Sequence, residues 1–184
     1  HDQPRALNRF VDVKNFRTEG ATMLAAAIHL SRGTPYIYMG EEIGMVDPDF
    51  DSMADYVDVE SINAYQELLA AGKSEREAFA IIQAKSRDNS RTPMQWDASE
   101  NAGFTTGTPW LKAGKTYKEI NVENEKFGKI FRFYQDLIQL RKALPLIAEG
   151  DYKAAYQDSD KIYAFERQLD NQKLLVLNNF FPEE

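Results

Sequence analysis

The segment Gly33-Thr34-Pro35-Tyr36-Ile37-Tyr38-Met39-Gly40 narrows the fold class more than any other part of the chain. Its apolar and aromatic centre, bounded by two glycines, is typical of a short buried strand. The residues before it, Thr18 to Arg32, are rich in alanine and repeat apolar side chains at helical spacing. A helix, a tight turn and a buried strand form one αβ unit, so this region predicts a parallel sheet covered by helices.

Two further helices and a long irregular segment follow the strand. The pattern predicts a helix over residues 61–71 and a second one that begins at a Ser74 N-cap, with Glu77 completing a capping box. Residues 86–110 have little periodicity and contain both tryptophans of the chain. Because an irregular segment of this length is uncommon inside a compact domain and is usually functional, we expect residues 86–110 to contribute to a site.

The last third of the chain changes from helix to sheet. Residues 122–144 carry apolar side chains at i, i+3, i+4 and i+7 and predict the most secure helix of the sequence. Three strands are predicted after it, over 152–156, 161–169 and 173–179, with a turn at Asp170-Asn171. These strands indicate an antiparallel sheet, which has too few strands for a complete β domain.

The composition excludes several classes of protein. The net charge is −7, which argues against a surface for nucleic acid or for an anionic membrane, because both need clustered cations. No apolar stretch approaches the ~18 residues of a membrane-spanning helix, and no signal peptide is visible. Cysteine is absent, which excludes disulfides, thiolate zinc sites and cysteine nucleophiles and suits a cytoplasmic protein.

An alternating run of acids follows the predicted strand and its glycine-rich loop. Asp47, Asp49 and Asp51 resemble part of a calcium loop, but the later glycine and bidentate glutamate of an EF-hand are missing. We therefore interpret the three carboxylates as a solvated loop and expect no metal and no cofactor.

Two polar motifs are candidates for recognition chemistry. The chain begins His1-Asp2-Gln3-Pro4-Arg5, and a second block runs from Arg87 to Trp96. Arginine forks and carboxylates together bind the vicinal hydroxyls of sugars, and tryptophan offers an apolar face to a pyranose ring. The alternative interpretations are an incidental surface His-Asp pair and a structural Arg–Asp network that holds a long loop.

Together these motifs resemble one family, the α-amylase superfamily of glycoside hydrolases, in its oligo-1,6-glucosidase and trehalose-6-phosphate hydrolase branch. The matching residues are His1 to Arg5, Gly33 to Tyr38, Gly40 to Met45, Ser86 to Asp97 and Asn101 to Gly107. They cover nearly the whole chain in order. One departure is Met39, where the branch has glutamine before Gly-Glu-Glu.

The resemblance implies an α/β fold, a part of a (β/α)8 TIM barrel. It implies that residues 1–147 are the C-terminal part of the catalytic barrel, with strands seven and eight and helices seven and eight. An enlarged, mainly helical loop after strand eight would span about residues 44–121. Residues 148–184 would begin a C-terminal antiparallel β-sandwich, and the chain would be predominantly helical.

The resemblance also implies a retaining glycoside hydrolysis with roles for five residues. Asp2 would be the third carboxylate, which stabilises the oxocarbenium-like transition state, and His1 would bind the same sugar. Arg5, Arg87 and Arg91 would complete the substrate-binding set, Arg5 by orienting neighbouring groups. The nucleophile and the acid/base of the family precede His1, so the rest of the barrel is needed and we expect the isolated chain to be inactive.

The resemblance implies that the substrate is an α-glucoside or a phosphorylated disaccharide. Residues 83–91 favour trehalose-6-phosphate hydrolase, which gives glucose and glucose 6-phosphate, over an oligo-1,6-glucosidase or dextran glucosidase. Sucrose isomerases also carry the Ser-Arg-Asp-Asn-Ser-Arg sequence of residues 86–91. Lys85 and Arg87 could bind a phosphate, although Lys85 is better interpreted as a solvated helix end. A different class of function is a non-catalytic carbohydrate-binding or transporter-associated homologue.

Overall fold

The computed structural model describes residues 1–182. Its helices are α1 (Ala6–Phe10), α2 (Val13–His29), α3 (Val59–Ala70), α4 (Glu75–Lys85), α5 (Val122–Glu125), α6 (Lys129–Ala143) and α7 (Pro145–Glu149). Its strands are β1 (Asp151–Ala155), β2 (Ile162–Leu169) and β3 (Gln172–Asn179). Helix therefore predominates, as the sequence predicts. No helix within residues 1–182 is both long enough and apolar enough to cross a bilayer.

The chain divides into two compact units. The first contains His1–Arg9 and Met45–Asn124, and the second contains Phe10–Gly44 and the residues from Glu125 onward. Each unit is therefore built from two separate stretches of chain. The domain boundary at residues 147 and 148 and the loop limits at 44 and 121 stay predictions.

The core of the first unit is a group of aromatic and aliphatic side chains. Phe50, Tyr56 and Ile82 are buried at its centre, and the rings of Phe50 and Tyr56 meet edge to face with centroids 5.3 Å apart. Side chains of α3 and α4 pack around them: Ala64, Tyr65, Leu68 and Phe79, together with Met53. Side chains of both helices thus contribute to this core.

The helix starts in the first unit follow local capping rules. The capping box of α4 is confirmed, because Ser74 Oγ accepts from Glu77 N at 3.3 Å and Glu77 Oε2 accepts from Ser74 N at 2.9 Å. Helix α3 begins two residues before the predicted start. The reason is Asp58, whose carboxylate caps the helix by accepting from Ser61 N at 3.2 Å.

The long irregular segment is held by short 3-10 turns and by backbone pairing. Trp96 N donates to Ala102 O at 2.8 Å, and Val122 N donates to Gln95 O at 2.9 Å. Residues 101–103 all have positive φ, and a Cβ on Gly103 would lie 2.5 Å from the Asp97 carboxylate. Glycine is therefore favoured at position 103, because positive φ strains other residues and a Cβ would displace the Asp97 carboxylate.

The second unit packs α2 against α6. The ring of His29 on α2 meets that of Tyr134 on α6 edge to face, with centroids 5.4 Å apart. The continuous helix predicted over 122–144 is wrong in one respect: it is broken into α5 and α6. The break follows from Gly128, which is extended (φ −71°, ψ 167°) and serves as the N-cap of α6.

The carboxyl end of α2 is neutralised by two distant arginines. Arg141 donates to His29 O at 2.7 Å and to Ser31 O at 3.0 Å, and it also reaches Gly33 O. Arg167 on β2 donates to Leu30 O at 3.3 Å. Cations at this end of a helix bind its unpaired carbonyls and oppose its dipole, so α2 ends where these partners are available.

The strand predicted at Pro35–Met39 is wrong for the described chain. The segment has no helix or strand assigned, no segment within residues 1–182 pairs with it, and Tyr36 is 83% exposed. A strand is defined by a hydrogen-bonded neighbour, and none is available in this chain. The sequence pattern therefore identified an apolar segment, but this segment forms no paired strand within residues 1–182.

The three predicted C-terminal strands are confirmed as one antiparallel sheet in the order β1-β2-β3. Phe165 at the centre of β2 pairs with Ala154 on one side and with Val176 on the other. The turn between β2 and β3 contains Asp170 with φ 50°, which an aspartate tolerates better than most residues. Helix α7 packs on this sheet and buries Leu146 and Ile147.

Candidate active site

Arg91 connects the first residues of the chain to two buried acids. Its Nε donates to the carbonyl oxygen of His1 at 2.9 Å, and its Nη2 lies 3.4 Å from Asp2 Oδ1. Its Nη1 lies 3.3 Å from Asp58 Oδ1 and 3.4 Å from Asp88 Oδ1. One planar guanidinium therefore touches three carboxylates and a carbonyl, which is a use that lysine could not reproduce.

Asp58 and Arg87 form a bidentate ion pair beside Arg91. Arg87 Nη2 lies 2.5 Å from Asp58 Oδ1, and Arg87 Nε donates to Asp58 Oδ2 at 3.2 Å. Burial by itself raises the pKa of Asp58, but hydrogen bonds from Arg87 and Ser61 outweigh it and hold the pKa below its ordinary value. Asp58 is thus a carboxylate at neutral pH. Arg87 also contacts Glu60 at 3.3 Å.

Asp88 is the most buried of the three acids that contact Arg91. Its side chain is fully buried, and its Oδ2 accepts from the backbone N–H groups of Val57 at 2.8 Å and Asp58 at 2.9 Å. Its second oxygen faces Arg91. A buried carboxylate that accepts two backbone hydrogen bonds fixes the backbone around it, so Asp88 holds the start of α3 in place.

His1 and Asp2 are the exposed members of the cluster. Their side chains are 73% and 64% exposed, and His1 Nε2 lies 3.4 Å from Asp2 Oδ1. The structure therefore brings together four of the five predicted site residues: His1 and Asp2 at the surface, and Arg87 and Arg91 beneath them. The structure supports the interpretation of the Arg87–Trp96 block as an Arg–Asp network, because Arg87 and Arg91 both bind Asp58, and Arg91 also contacts the exposed pair; sugar binding by this block stays a prediction.

Arg5 is the fifth predicted residue, and it is buried rather than exposed. Its backbone N–H donates to Asp47 Oδ1 at 2.9 Å. The interpretation of Asp47 as a solvated loop residue is wrong: Asn89 Nδ2 also donates to it, at 3.3 Å, and burial raises its pKa from 3.8 to about 6. The sequence signal was too weak to find this, because Arg5 and Asn89 each lie 42 residues from Asp47 in the chain.

The other two acids of the run behave as the sequence predicts. Asp49 and Asp51 are exposed and lie 3.6 Å and 2.6 Å from Lys115 Nζ. Across residues 1–182, no group of three or more histidine, aspartate or glutamate side chains is arranged to hold a metal ion.

Large aromatic side chains remain at the surface of the first unit. Trp96, Phe104 and Trp110 are exposed and lie on the loop that follows the acidic cluster. The sequence left open whether the tryptophans pack the loop or contact a sugar. Trp96 is 50% exposed and Trp110 is 69% exposed, so neither ring is fully packed into the loop.

The family of the chain follows from a sequence comparison. Residues 1–150 match the family model of the alpha amylase catalytic domain. The chain belongs to the α-amylase family. It is 50% identical, over its whole length, to 33% of the trehalose-6-phosphate hydrolase of Bacillus subtilis strain 168. It is 49% identical, over 98% of its length, to 33% of an oligo-1,6-glucosidase of Parageobacillus thermoglucosidasius.

A solved structure extends the relationship to the fold of this α-amylase-family chain. The crystal structure of Bacillus licheniformis trehalose-6-phosphate hydrolase superposes with a TM-score of 0.94 and 51% identity. The match covers 98% of the chain and 33% of that protein. The chain thus spans about a third of the length of its relatives and has the fold of that part of a TIM-barrel enzyme. In a closed barrel each strand has two neighbours, which is why Pro35–Met39 lacks them here.

Proposed function

We propose that this chain is part of a retaining α-glucoside hydrolase, and that its substrate is trehalose 6-phosphate, cleaved to glucose and glucose 6-phosphate. The observation that carries the proposal is the exposed His1-Asp2 pair, bound from below by Arg91. Two acceptors at the surface and a cation behind them suit the recognition of sugar hydroxyls. The identity to trehalose-6-phosphate hydrolases supports the choice of substrate.

In the proposed mechanism Asp2 stabilises positive charge as the glycosidic bond breaks. An oxocarbenium-like transition state gains charge that the substrate lacks, so a fixed carboxylate lowers the barrier more than it strengthens binding. His1 binds the same sugar, and Arg91 holds Asp2 in place. The nucleophile and the acid/base, which in retaining enzymes lie ~5 Å apart, belong to the rest of the barrel.

Arg5 and Arg87 act in this proposal by positioning other groups. Arg5 is buried, and Arg87 is engaged by Asp58 and Glu60, so neither guanidinium is offered freely to a ligand. Lys85 lies exposed at the end of α4. A phosphate group on the substrate therefore needs cations beyond Arg5 and Arg87, and Lys85 is the nearest in sequence to the cluster.

The second candidate is an oligo-1,6-glucosidase or dextran glucosidase, which the 49% identity to an oligo-1,6-glucosidase favours. A sucrose isomerase and a non-catalytic carbohydrate-binding or transporter-associated homologue are the remaining alternatives. The non-catalytic homologue differs from the enzymes in one respect: its full-length sequence would lack the nucleophilic aspartate of barrel strand four or the acid/base glutamate of strand five. A cytoplasmic location, supported by the absence of cysteine, is part of the proposal.

The test compares two substrates with the full-length protein that carries this chain. We expect hydrolysis of 4-nitrophenyl α-glucoside 6-phosphate with a kcat/KM well above that for isomaltose. A higher kcat/KM for isomaltose would contradict the proposed substrate and favour an oligo-1,6-glucosidase or dextran glucosidase. Failure to hydrolyse either compound, or 4-nitrophenyl α-glucoside, would contradict the hydrolase itself.

A further inference from the structure

Asp47 lies where three segments of the first unit meet. Its Oδ1 accepts from Arg5 N at 2.9 Å, and its Oδ2 accepts from Asn89 Nδ2 at 3.3 Å. Its own N–H donates to Asn8 Oδ1 at 2.8 Å. A single residue therefore joins the loop after Gly44 to the first residues of the chain and to the turn that carries the arginines.

Two of these segments carry residues of the candidate active site. Arg5 follows Asp2 by three residues, and Asn89 precedes Arg91 by two. Arg91 in turn binds the carbonyl of His1 and contacts Asp2. The separation of Asp2 from Arg91 is thus fixed from two sides: directly by their contact, and indirectly through Asp47.

We propose that Asp47 is a positioning residue of the active site, and that its ionised carboxylate holds the His1-Asp2 loop in register with Arg91. The inference deepens the proposed function and rests on it for the reaction that is affected. Asp47 itself contacts no reacting group in this account. It acts through the backbone of Arg5 and the side chain of Asn89.

The surroundings of Asp47 make its charge sensitive to pH. Burial raises its pKa to about 6, and the guanidinium of Arg5 is the cation that opposes this. Tyr56 also faces it but stays neutral, because burial and the charges of Asp47, Asp55, Asp88 and Asp49 raise the pKa of its phenol. The remaining neighbours, Asn8 and Asn89, do not ionise.

Protonation removes one of the two hydrogen bonds that Asp47 accepts. Each carboxylate oxygen faces an N–H donor, Arg5 N on one side and Asn89 Nδ2 on the other. A carboxylic acid has a donor at one oxygen, so whichever oxygen is protonated opposes another donor. The attraction to the Arg5 guanidinium disappears at the same time. The register of the His1-Asp2 loop is therefore weakened as the pH falls through about 6.

The variant Asp47→Asn tests this in the full-length protein with 4-nitrophenyl α-glucoside as substrate. Asparagine does not titrate, and it also places a donor where the carboxylate has an acceptor. We expect kcat/KM at pH 8 to fall about tenfold, since small displacements of reacting groups are costly. The loss should be in kcat rather than KM, and the acid limb near pH 6 should vanish.

The matched control is Asp51→Asn. Asp51 lies on the same loop, but its side chain is 71% exposed and paired with Lys115. We expect its kcat/KM and pH profile to equal those of the unchanged protein. If Asp47→Asn also keeps both the rate and the acid limb, the positioning role is wrong, whatever the substrate of the enzyme.

A second readout does not depend on catalysis. Hydrogen–deuterium exchange of the peptide covering residues 3–9 reports on the Arg5 amide that Asp47 binds. We expect this peptide to exchange faster in Asp47→Asn than in the unchanged protein at pH 8, because asparagine places a donor opposite Asn89 Nδ2 and so loosens the contacts that hold the Arg5 segment. Equal exchange in both proteins would overturn the inference, even if every α-glucoside proved inert and the proposed function failed.

Discussion

Arg91 Nε donates a 2.9 Å hydrogen bond to the carbonyl oxygen of His1, across 90 residues of sequence. The same guanidinium contacts Asp2, Asp58 and Asp88. The exposed pair at the start of the chain is therefore supported by a cation that is itself held by two buried acids. This arrangement makes Arg91 the link between the stability of the first unit and the chemistry proposed for Asp2.

Removal of Arg91 should damage both activity and stability in the full-length protein. Arg91→Ala leaves Asp58 and Asp88 with less positive charge, and breaking a buried ion pair costs about 3–5 kcal/mol. Arg91→Lys keeps the charge but not the fork, so we expect it to recover stability in urea unfolding more than kcat/KM. Arg76→Ala, at an exposed position on α4, is the control and should change neither. Equal kcat/KM in Arg91→Lys and the unchanged protein would contradict the geometric role.

The Asp58–Arg87 pair should make stability depend on pH in acid. The pKa of Asp58 is lowered, so its carboxylate stabilises the fold above its unfolded pKa of 3.8, and this is lost as pH falls through the folded pKa. We expect Asp58→Asn to lose about 3 kcal/mol at pH 7. The difference from the unchanged protein should shrink below about pH 4, as measured by urea unfolding. A difference that is constant with pH would show that the ion pair is not its source.

Asp47 should have the opposite effect on the pH dependence of stability. Its pKa is raised from 3.8 to about 6, so its ionisation costs stability above pH 6, and the cost is absent below the unfolded pKa. Asp47→Asn removes this cost but also loses one of the two hydrogen bonds that Asp47 accepts. We therefore expect the free energy of unfolding of the variant, relative to the unchanged protein, to be higher at pH 8 than at pH 4 by up to about 3 kcal/mol, at roughly 1.4 kcal/mol for each pKa unit. A variant that is more stable and yet less active would separate positioning from folding.

Arg167 should be essential to the second unit although no carboxylate pairs with it among the described residues. It is fully buried and donates to carbonyl oxygens of Leu30, Ile147, Gly150 and Asp151. Arg167→Met leaves these acceptors without their donor, and each unsatisfied buried group costs about 1–3 kcal/mol. We expect a large fall in the urea midpoint, while Arg132→Met at an exposed site of α6 changes it little. A normal midpoint for Arg167→Met would contradict this.

The sequence predicted the elements that local chemistry specifies. The Ser74–Glu77 capping box and the three C-terminal strands depend on residues close together in the chain, and they are confirmed. The pattern over 122–144 missed the break at Gly128, because apolar periodicity continues through it. Pro35–Met39 failed as a strand because a strand depends on neighbours that the segment itself cannot specify.

The sequence named residues of the candidate site, but it did not predict the contacts that hold them. The motifs named His1, Asp2 and Arg91, which the structure brings together. They did not indicate that Arg5 is buried or that Asp47 binds its backbone, because those contacts join segments far apart in sequence. Burial of a polar side chain follows from tertiary packing, and no periodicity reports it.

The central claim is that Asp2 stabilises the transition state of α-glucoside hydrolysis, and one measurement tests it most directly. It compares kcat for trehalose 6-phosphate of the full-length protein with that of Asp2→Asn, an exposed and nearly isosteric change. We predict a fall of about 10²–10³-fold with an unchanged urea midpoint, because a fixed group that stabilises developing charge is removed. A kcat within about threefold of the unchanged protein would contradict the account.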